Sequence, residues 1–333
     1  MSSFRITRRG CSEIRFGIKR GNGRAMTGVA INKLVVIGVG LIGGSFALAL
    51  RKAELVTHIT GVGRSLANME RARDLGAIDE IAGNLPSALK DADVVFLAIP
   101  VGRTGEIMEQ IAPHLEPDTI VTDAGSTKQN VLAAARVHLA EHLPNFVPGH
   151  PVAGAELSGA GAANPNLFRD KNLVLTPIEE TSVEALQRVT QLWQACGAQV
   201  SQMSARRHDE ILAAVSHLPH MLAFALMYYI GAAGDGSDVD NALFTDDDMI
   251  RSSELLRFAG SGFRDFTRIA ASSPEMWRDI CLGNREVLSR QIDAYQNELA
   301  ALRDMLARDD GDALERVFSD AREARRQWLK ETP

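Results

Sequence analysis

Lys33-Leu-Val-Val-Ile-Gly38-Val-Gly40-Leu-Ile-Gly43-Gly44 reads as a buried strand running through a glycine-rich turn into a helix. Four apolar residues lead into the turn, and Ser45-Phe-Ala-Leu-Ala-Leu50 carries on in helical fashion. In that context Gly38 permits a tight turn, Gly40 lets backbone approach a pyrophosphate, and Gly43 lets the helix pack on the strand with its first amides facing the anion. Residues 34–50 also form an almost wholly apolar run between Lys33 and Arg51, near the lower limit for a membrane span. Its glycines argue against a membrane helix, since each costs roughly 1 kcal/mol relative to alanine.

Beyond the cradle, apolar runs suited to parallel strands recur at 58–63, 93–100, 119–123, 146–148, 172–177 and 199–203, with helical segments between most of them, including 65–75 and 103–112. Alternation of this kind predicts an α/β fold with a doubly wound, Rossmann-type parallel sheet over residues 31–203. Thr181 followed by Glu184 has the form of a capping box that opens a helix to about Cys196. From residue 204 to 330 the pattern is helical throughout. A long helix over 204–230 is interrupted by Pro219, Ser273-Pro274 opens another, and 285–307 carries Val287, Leu288, Ile292, Tyr295, Leu299 and Leu302 as one apolar stripe. Such a stripe on a helical lobe suits pairing with a second copy, so an all-helical dimerisation domain and a homodimer are expected.

The 333 residues, 45% of them hydrophobic, suffice for a large core divided between two domains. A net charge of −6 makes nucleic acid a poor partner. Cys11, Cys196 and Cys281 are scattered, which suits a reducing cytoplasm and supplies neither a disulfide framework nor a metal site. Residues 1–30 set Arg5, Arg8, Arg9, Arg15, Lys19, Arg20 and Arg24 against the single acid Glu13 and lack apolar periodicity. They read as a disordered basic tail, or as an upstream start with Met26 the natural initiator.

A dinucleotide domain usually places an acid on the adenine ribose about twenty residues past the cradle. This chain has Gly63 there, then Arg64 and Ser65, which leaves room for a 2′-phosphate, so NAD or NADP is expected. Asp123-Ala-Gly-Ser126-Thr-Lys128 follows a strand, which puts Ser126 at the ligand-binding edge of the sheet or makes it a plain helix cap. Phe146-Val-Pro-Gly-His150-Pro151-Val-Ala-Gly154 holds one imidazole in stiff backbone, as a positioned base or as a structural histidine. His217 and His220 share a helix face with Asp209 two turns earlier, and no third ligand at sensible spacing makes them a metal site. Arg264 and Arg268, four apart, can clamp carboxylates or join a surface ion-pair network.

The cradle, Gly125-Ser126-Thr-Lys128, Gly149-His150-Pro151-Val-Ala-Gly154, Ser216-His217-Leu-Pro-His220 and Phe263-Arg264-Asp-Phe-Thr-Arg268, in this order, resemble the prephenate/arogenate (cyclohexadienyl) dehydrogenase family of tyrosine biosynthesis. The likeness runs from about residue 31 to the C-terminus. It implies oxidative decarboxylation of a cyclohexadienyl acid, with hydride passed to NAD or NADP. By this resemblance His150 takes the proton of the ring hydroxyl with Ser126 beside it, Arg268 and Arg264 hold substrate carboxylates, and His220 faces the substrate with His217 in support. Asp209 links the two domains. Gly38, Gly40, Leu41, Ile42, Gly43, Arg64, Ser65, Ile99 and Pro100 are expected to touch the cofactor. Many members have lysine where Arg264 stands. The helical lobe has no lysine between Lys171 and Lys330, which disfavours the lysine-based chemistry of β-hydroxyacid dehydrogenases.

Overall fold

The computed structural model describes residues 30–154, 158–232 and 252–331. The basic segment expected to be a tail lies, but for residue 30, outside them.

Among the described residues, nine strands form two sheets. The first holds β1 (Ile31–Ile37), β2 (Val56–Val62), β3 (Glu80–Ile81), β4 (Val94–Leu97), β5 (Ile120–Asp123) and β6 (Phe146–Val147), all parallel, in the order β3-β2-β1-β4-β5-β6. Side chains alternate between faces along a strand, and helices cover both faces of this sheet. Leu34, Val36 and Phe96 therefore join Phe46 and Trp193 on one side, while Val35, Ile37, Val95 and Leu97 join Met108 and Phe146 on the other. That is why β1 and β4 are apolar at every position. Phe46 lies 4.5 Å, ring to ring, from both Phe96 and Trp193.

The expected single sheet is corrected by a second one. β7 (Gly149–Pro151), β8 (Asn172–Leu175) and β9 (Gln199–Gln202) form a three-stranded sheet, with β7 antiparallel to β8 and β8 parallel to β9. β3 and β7, two and three residues long, are too short to show a period in sequence. The capping box is corrected too. Ser182, not Thr181, caps the Val183–Ala195 helix by accepting from Ala185 N, while Thr181 Oγ1 donates to the Phe146 carbonyl.

From Ala205 onward the described residues are helical. Pro219 does not break the long helix. An α-helical turn, Ala205–Leu212, passes through a π-helical turn, Ala213–His217, into Leu218–Ala232. Proline lacks the N–H for an i to i−4 bond and crowds the carbonyl four residues back, and the wider turn relieves both. Ser273 accepts from Met276 N to cap Pro274–Gly283, as expected. The Arg285–Ala307 helix buries only Val287 and Leu288 of its stripe, leaving Tyr295 and Leu299 exposed.

Candidate active site

The cradle sits at the C-terminal edge of the first sheet, where the strand order reverses between β1 and β4. Gly38 adopts φ +97°, and a Cβ there would lie 2.3 Å from the Ala98 carbonyl. A Cβ on Gly43 would lie 2.1 Å from the Gly38 carbonyl, so the helix meets its strand backbone to backbone. Gly40 faces open space and precedes the Leu41–Lys52 helix with no side-chain cap. Its first amides, at Leu41 and Ile42, thus await an acceptor of the kind a pyrophosphate supplies. Ile99 and Pro100 follow β4 beside this turn, the Ile99 Cγ2 lying 2.9 Å from where a Gly38 Cβ would stand. Met69 fills the space a side chain at Gly63 would need, Arg64 is exposed, and Ser65 caps the Leu66–Asp74 helix through Asn68 N. These residues fit a dinucleotide.

Ser126 is not a helix cap. The Gln129–His138 helix begins after Lys128 with no side-chain cap of its own. A carboxylate from the helical half does the capping: Asp209 accepts from Lys128 N (2.8 Å) and Gln129 N (2.9 Å). Ser126 stands half-buried in the turn, with its backbone next to His217.

His150, on β7, is the end of a buried chain of rings. Its Nδ1 lies 2.8 Å from His208 Nε2, and His208 Nδ1 lies 2.8 Å from Asp209 Oδ1. A carboxylate only accepts, so His208 carries its proton on Nδ1, and a neutral His208 then accepts from His150 Nδ1–H. His150 Nε2 is left bare. Burial, then His208, Lys128 and His217, hold the His150 pKa well below the ordinary histidine range. Burial alone would raise Asp209, but hydrogen bonds from His208, Gln129 and Lys128 outweigh it and keep the carboxylate ionised.

His217, carried by the π turn, accepts at Nδ1 from Asn284 Nδ2 (3.2 Å), whose other proton goes to the Asp209 carbonyl (2.8 Å). Among the described residues its Nε2 is buried without a close hydrogen-bond partner, the Ser126 backbone lying near enough to act on the ring, and burial brings its pKa down to about 4. His220 donates from Nδ1 to the Ser216 carbonyl (2.8 Å) and stacks on Trp277 with ring centroids 3.7 Å apart. Its Nε2 is therefore an acceptor. Burial first, and the charge of Arg268 after it, lower the His220 pKa despite the Ser216 bond, which puts Arg268 beside this ring. Arg264 lies exposed on the Ser261–Thr267 helix, and among the described residues no hydrogen bond or ion pair joins it to the histidines.

His208, Lys128, Asp123 and Asn284 also belong to the site, and sequence alone does not mark them as functional. Lys128 is wholly buried, donating to Asp123 Oδ2 and to the Gly149 carbonyl (2.8 Å). A lysine inside the quoted turn motif and a histidine next to Asp209 were the available signals. Neither shows that positions 150 and 208, one on a strand and the other on a helix, meet.

Comparison with known proteins agrees with this arrangement. Residues 46–202 match the nucleotide-binding domain of prephenate dehydrogenase, and residues 204–320 match its dimerization domain. A cyclohexadienyl dehydrogenase of Zymomonas mobilis is 33% identical over 88% of this chain and 94% of its own length. A prephenate dehydrogenase of Bacillus subtilis is 35% identical over 88% of this chain and 75% of its own length. The crystal structure of Aquifex aeolicus prephenate dehydrogenase with hydroxyphenyl propionate and NAD+ superposes with a TM-score of 0.79 at 32% identity, covering 90% of this chain and 98% of that one. Synechocystis arogenate dehydrogenase follows with a TM-score of 0.71 at 29% identity, over 89% and 99%. With a glycine cradle, a buried histidine relay and both family domains matched in order, this chain belongs to the prephenate dehydrogenase family.

Proposed function

We propose that the protein oxidises and decarboxylates prephenate to 4-hydroxyphenylpyruvate, with arogenate as the alternative substrate. The observation that carries this reading is the His150–His208–Asp209 relay, which leaves one imidazole nitrogen bare on β7, just past the C-terminal edge of the sheet that bears the cradle. A bound nicotinamide dinucleotide supplies the hydride acceptor. His150 Nε2 accepts the proton of the ring hydroxyl as its carbon is oxidised to a ketone. Loss of the ring carboxylate as carbon dioxide then leaves its electron pair to make the ring aromatic, and the resulting phenolate oxygen takes the proton back. A weakly basic His150 suits such brief custody. Arg268 holds a substrate carboxylate, whereas His220 Nε2, an acceptor, suits a substrate hydroxyl or a guanidinium better than a carboxylate. Ser126 steadies the hydroxyl, His217 offers Nε2–H, and Arg264 is left to contacts at the mouth of the cleft.

Gly38, Gly40 and Gly43, with the Leu41 and Ile42 amides, hold the pyrophosphate, and Ile99 and Pro100 line the same edge. Arg64 and Ser65, with no acid at Gly63, admit NADP as well as NAD. The exposed Tyr228, Tyr295, Leu299, Leu306, Phe318 and Trp328 support a homodimer joined through the helical half, because apolar side chains in such number rarely stay in water. The stretch Ala205–Gly231 is as long and apolar as a membrane helix, but it carries buried His208, Asp209 and His217 against the sheet domain, which supports a cytoplasmic enzyme.

The test mixes purified protein with prephenate or arogenate and each dinucleotide, following reduced-cofactor absorbance and carbon dioxide release. Turnover that His150→Asn abolishes is the expected result. No reduction with any pairing overturns the proposal.

A further inference from the structure

Both polar groups of Gly149 are held by one buried ion pair that the proton transfer above does not use. Its N–H donates to Asp123 Oδ1 (3.1 Å), and its carbonyl accepts from the Lys128 ammonium, which also pairs with Asp123 Oδ2. His150 begins at the next atom. At the far end of the relay, the backbone N–H of the same Lys128 donates to Asp209 Oδ1, the oxygen that also takes the His208 proton. A ring therefore runs from Lys128 Nζ through Gly149, His150, His208 and Asp209 back to Lys128 N. Asp123 and Lys128 are 1% and 0% exposed, so burying them as charges is expensive and the arrangement is kept against that cost.

We propose that Lys128 is a positioning residue for the base: its ammonium pins the peptide before His150 while its amide pins Asp209, so that one residue sets both ends of the relay. This rests on His150 being the base. The groups that face His150 are the Lys128 cation and the rings of His208 and His217, with Asp209 behind His208 and Asp123 behind Lys128. A nearby cation opposes the imidazolium, and removing it alone leaves the Asp123 carboxylate, among the described residues, with the Gly125 and Gly149 amides for partners. Protonation of His150 then becomes easier.

The experiment compares pH profiles of kcat/KM for wild type, Lys128→Met and the charge-neutral double variant Asp123→Asn with Lys128→Met, each checked for folding. The acid limb is expected to move up by about one pH unit in the single variant and by less in the double, with KM within about threefold. A folded single variant whose limb stays at the wild-type position, or moves no further than that of the double, overturns the proposal, whatever its rate. In the wild type, ring nitrogen NMR should show His150 with Nδ1 protonated and Nε2 bare, and the opposite tautomer also overturns it, with no variant needed. An acid limb that survives in His150→Asn would instead refute the base assignment and leave the Lys128 contacts intact.

Discussion

Asp209→Asn isolates the relay from the rest of the cleft. The carboxylate receives three donors: Lys128 N and His208 Nδ1 at Oδ1, and Gln129 N at Oδ2. Asparagine offers one oxygen and one NH2 group, so in either orientation an amide proton confronts a donor. With the NH2 toward His208, the proton of His208 moves to Nε2, His150 Nδ1 becomes an acceptor, and the His150 proton moves to Nε2, which blocks the base. With the oxygen toward His208, the working tautomer survives on a neutral and weaker acceptor while Gln129 N loses its partner. Hydrogen bonds to ionised groups are worth ~1.5–3 kcal/mol and neutral ones ~1, so the working state loses about 0.5–2 kcal/mol, or about 2- to 30-fold in kcat. Stability falls by about 2–4 kcal/mol through the orphaned cap. Steady-state reduction of the dinucleotide at saturating prephenate measures the first, and denaturant unfolding measures the second. A folded variant whose kcat equals that of wild type refutes the tautomer argument.

Four other outcomes are expected. Gly40→Ala, with open space for its Cβ, should keep the melting temperature while weakening dinucleotide binding at least ~10-fold by calorimetry, whereas Gly38→Ala should lower both. Arg64→Glu should raise the Kd for NADP about 10-fold more than that for NAD, and equal effects would remove Arg64 from the ribose site. Arg268→Ala should raise KM for prephenate at least ~10-fold with a smaller change in kcat, and a KM like that of a distant surface variant would disprove the clamp. The fourth concerns pH. An unfolded His217 takes up a proton as pH falls through about 6.5, but the buried ring resists until about 4, so stability is lost over that interval as pH falls. The loss is about 3 kcal/mol from His217 alone, with His150 adding in the same direction, and unfolding curves at the two ends of the interval would show it.

Much of the fold was legible because its causes are local. A parallel strand buried on both faces must be apolar at successive positions, and β1 and β4 are. The cradle needed glycine where φ is positive and where two backbones touch, and Gly38 and Gly43 meet those needs. His150 and Asp209 were legible as motif residues. Thr181, by contrast, looked like a cap because spacing alone cannot tell which of two neighbouring hydroxyls turns toward the helix. Pro219 looked like a break because a π turn leaves no composition of its own.

By itself, the order of residues determined a strand–turn–helix that receives an anion, the alternation that winds a parallel sheet, and a helical lobe rich in apolar stripe. Those properties depend on neighbours within a turn or two of chain. Only the tertiary structure decided which atoms are protonated. His150 and His208 are 58 positions apart, Lys128 and Asp209 81, and the state of each ring follows from the partner it meets across that separation.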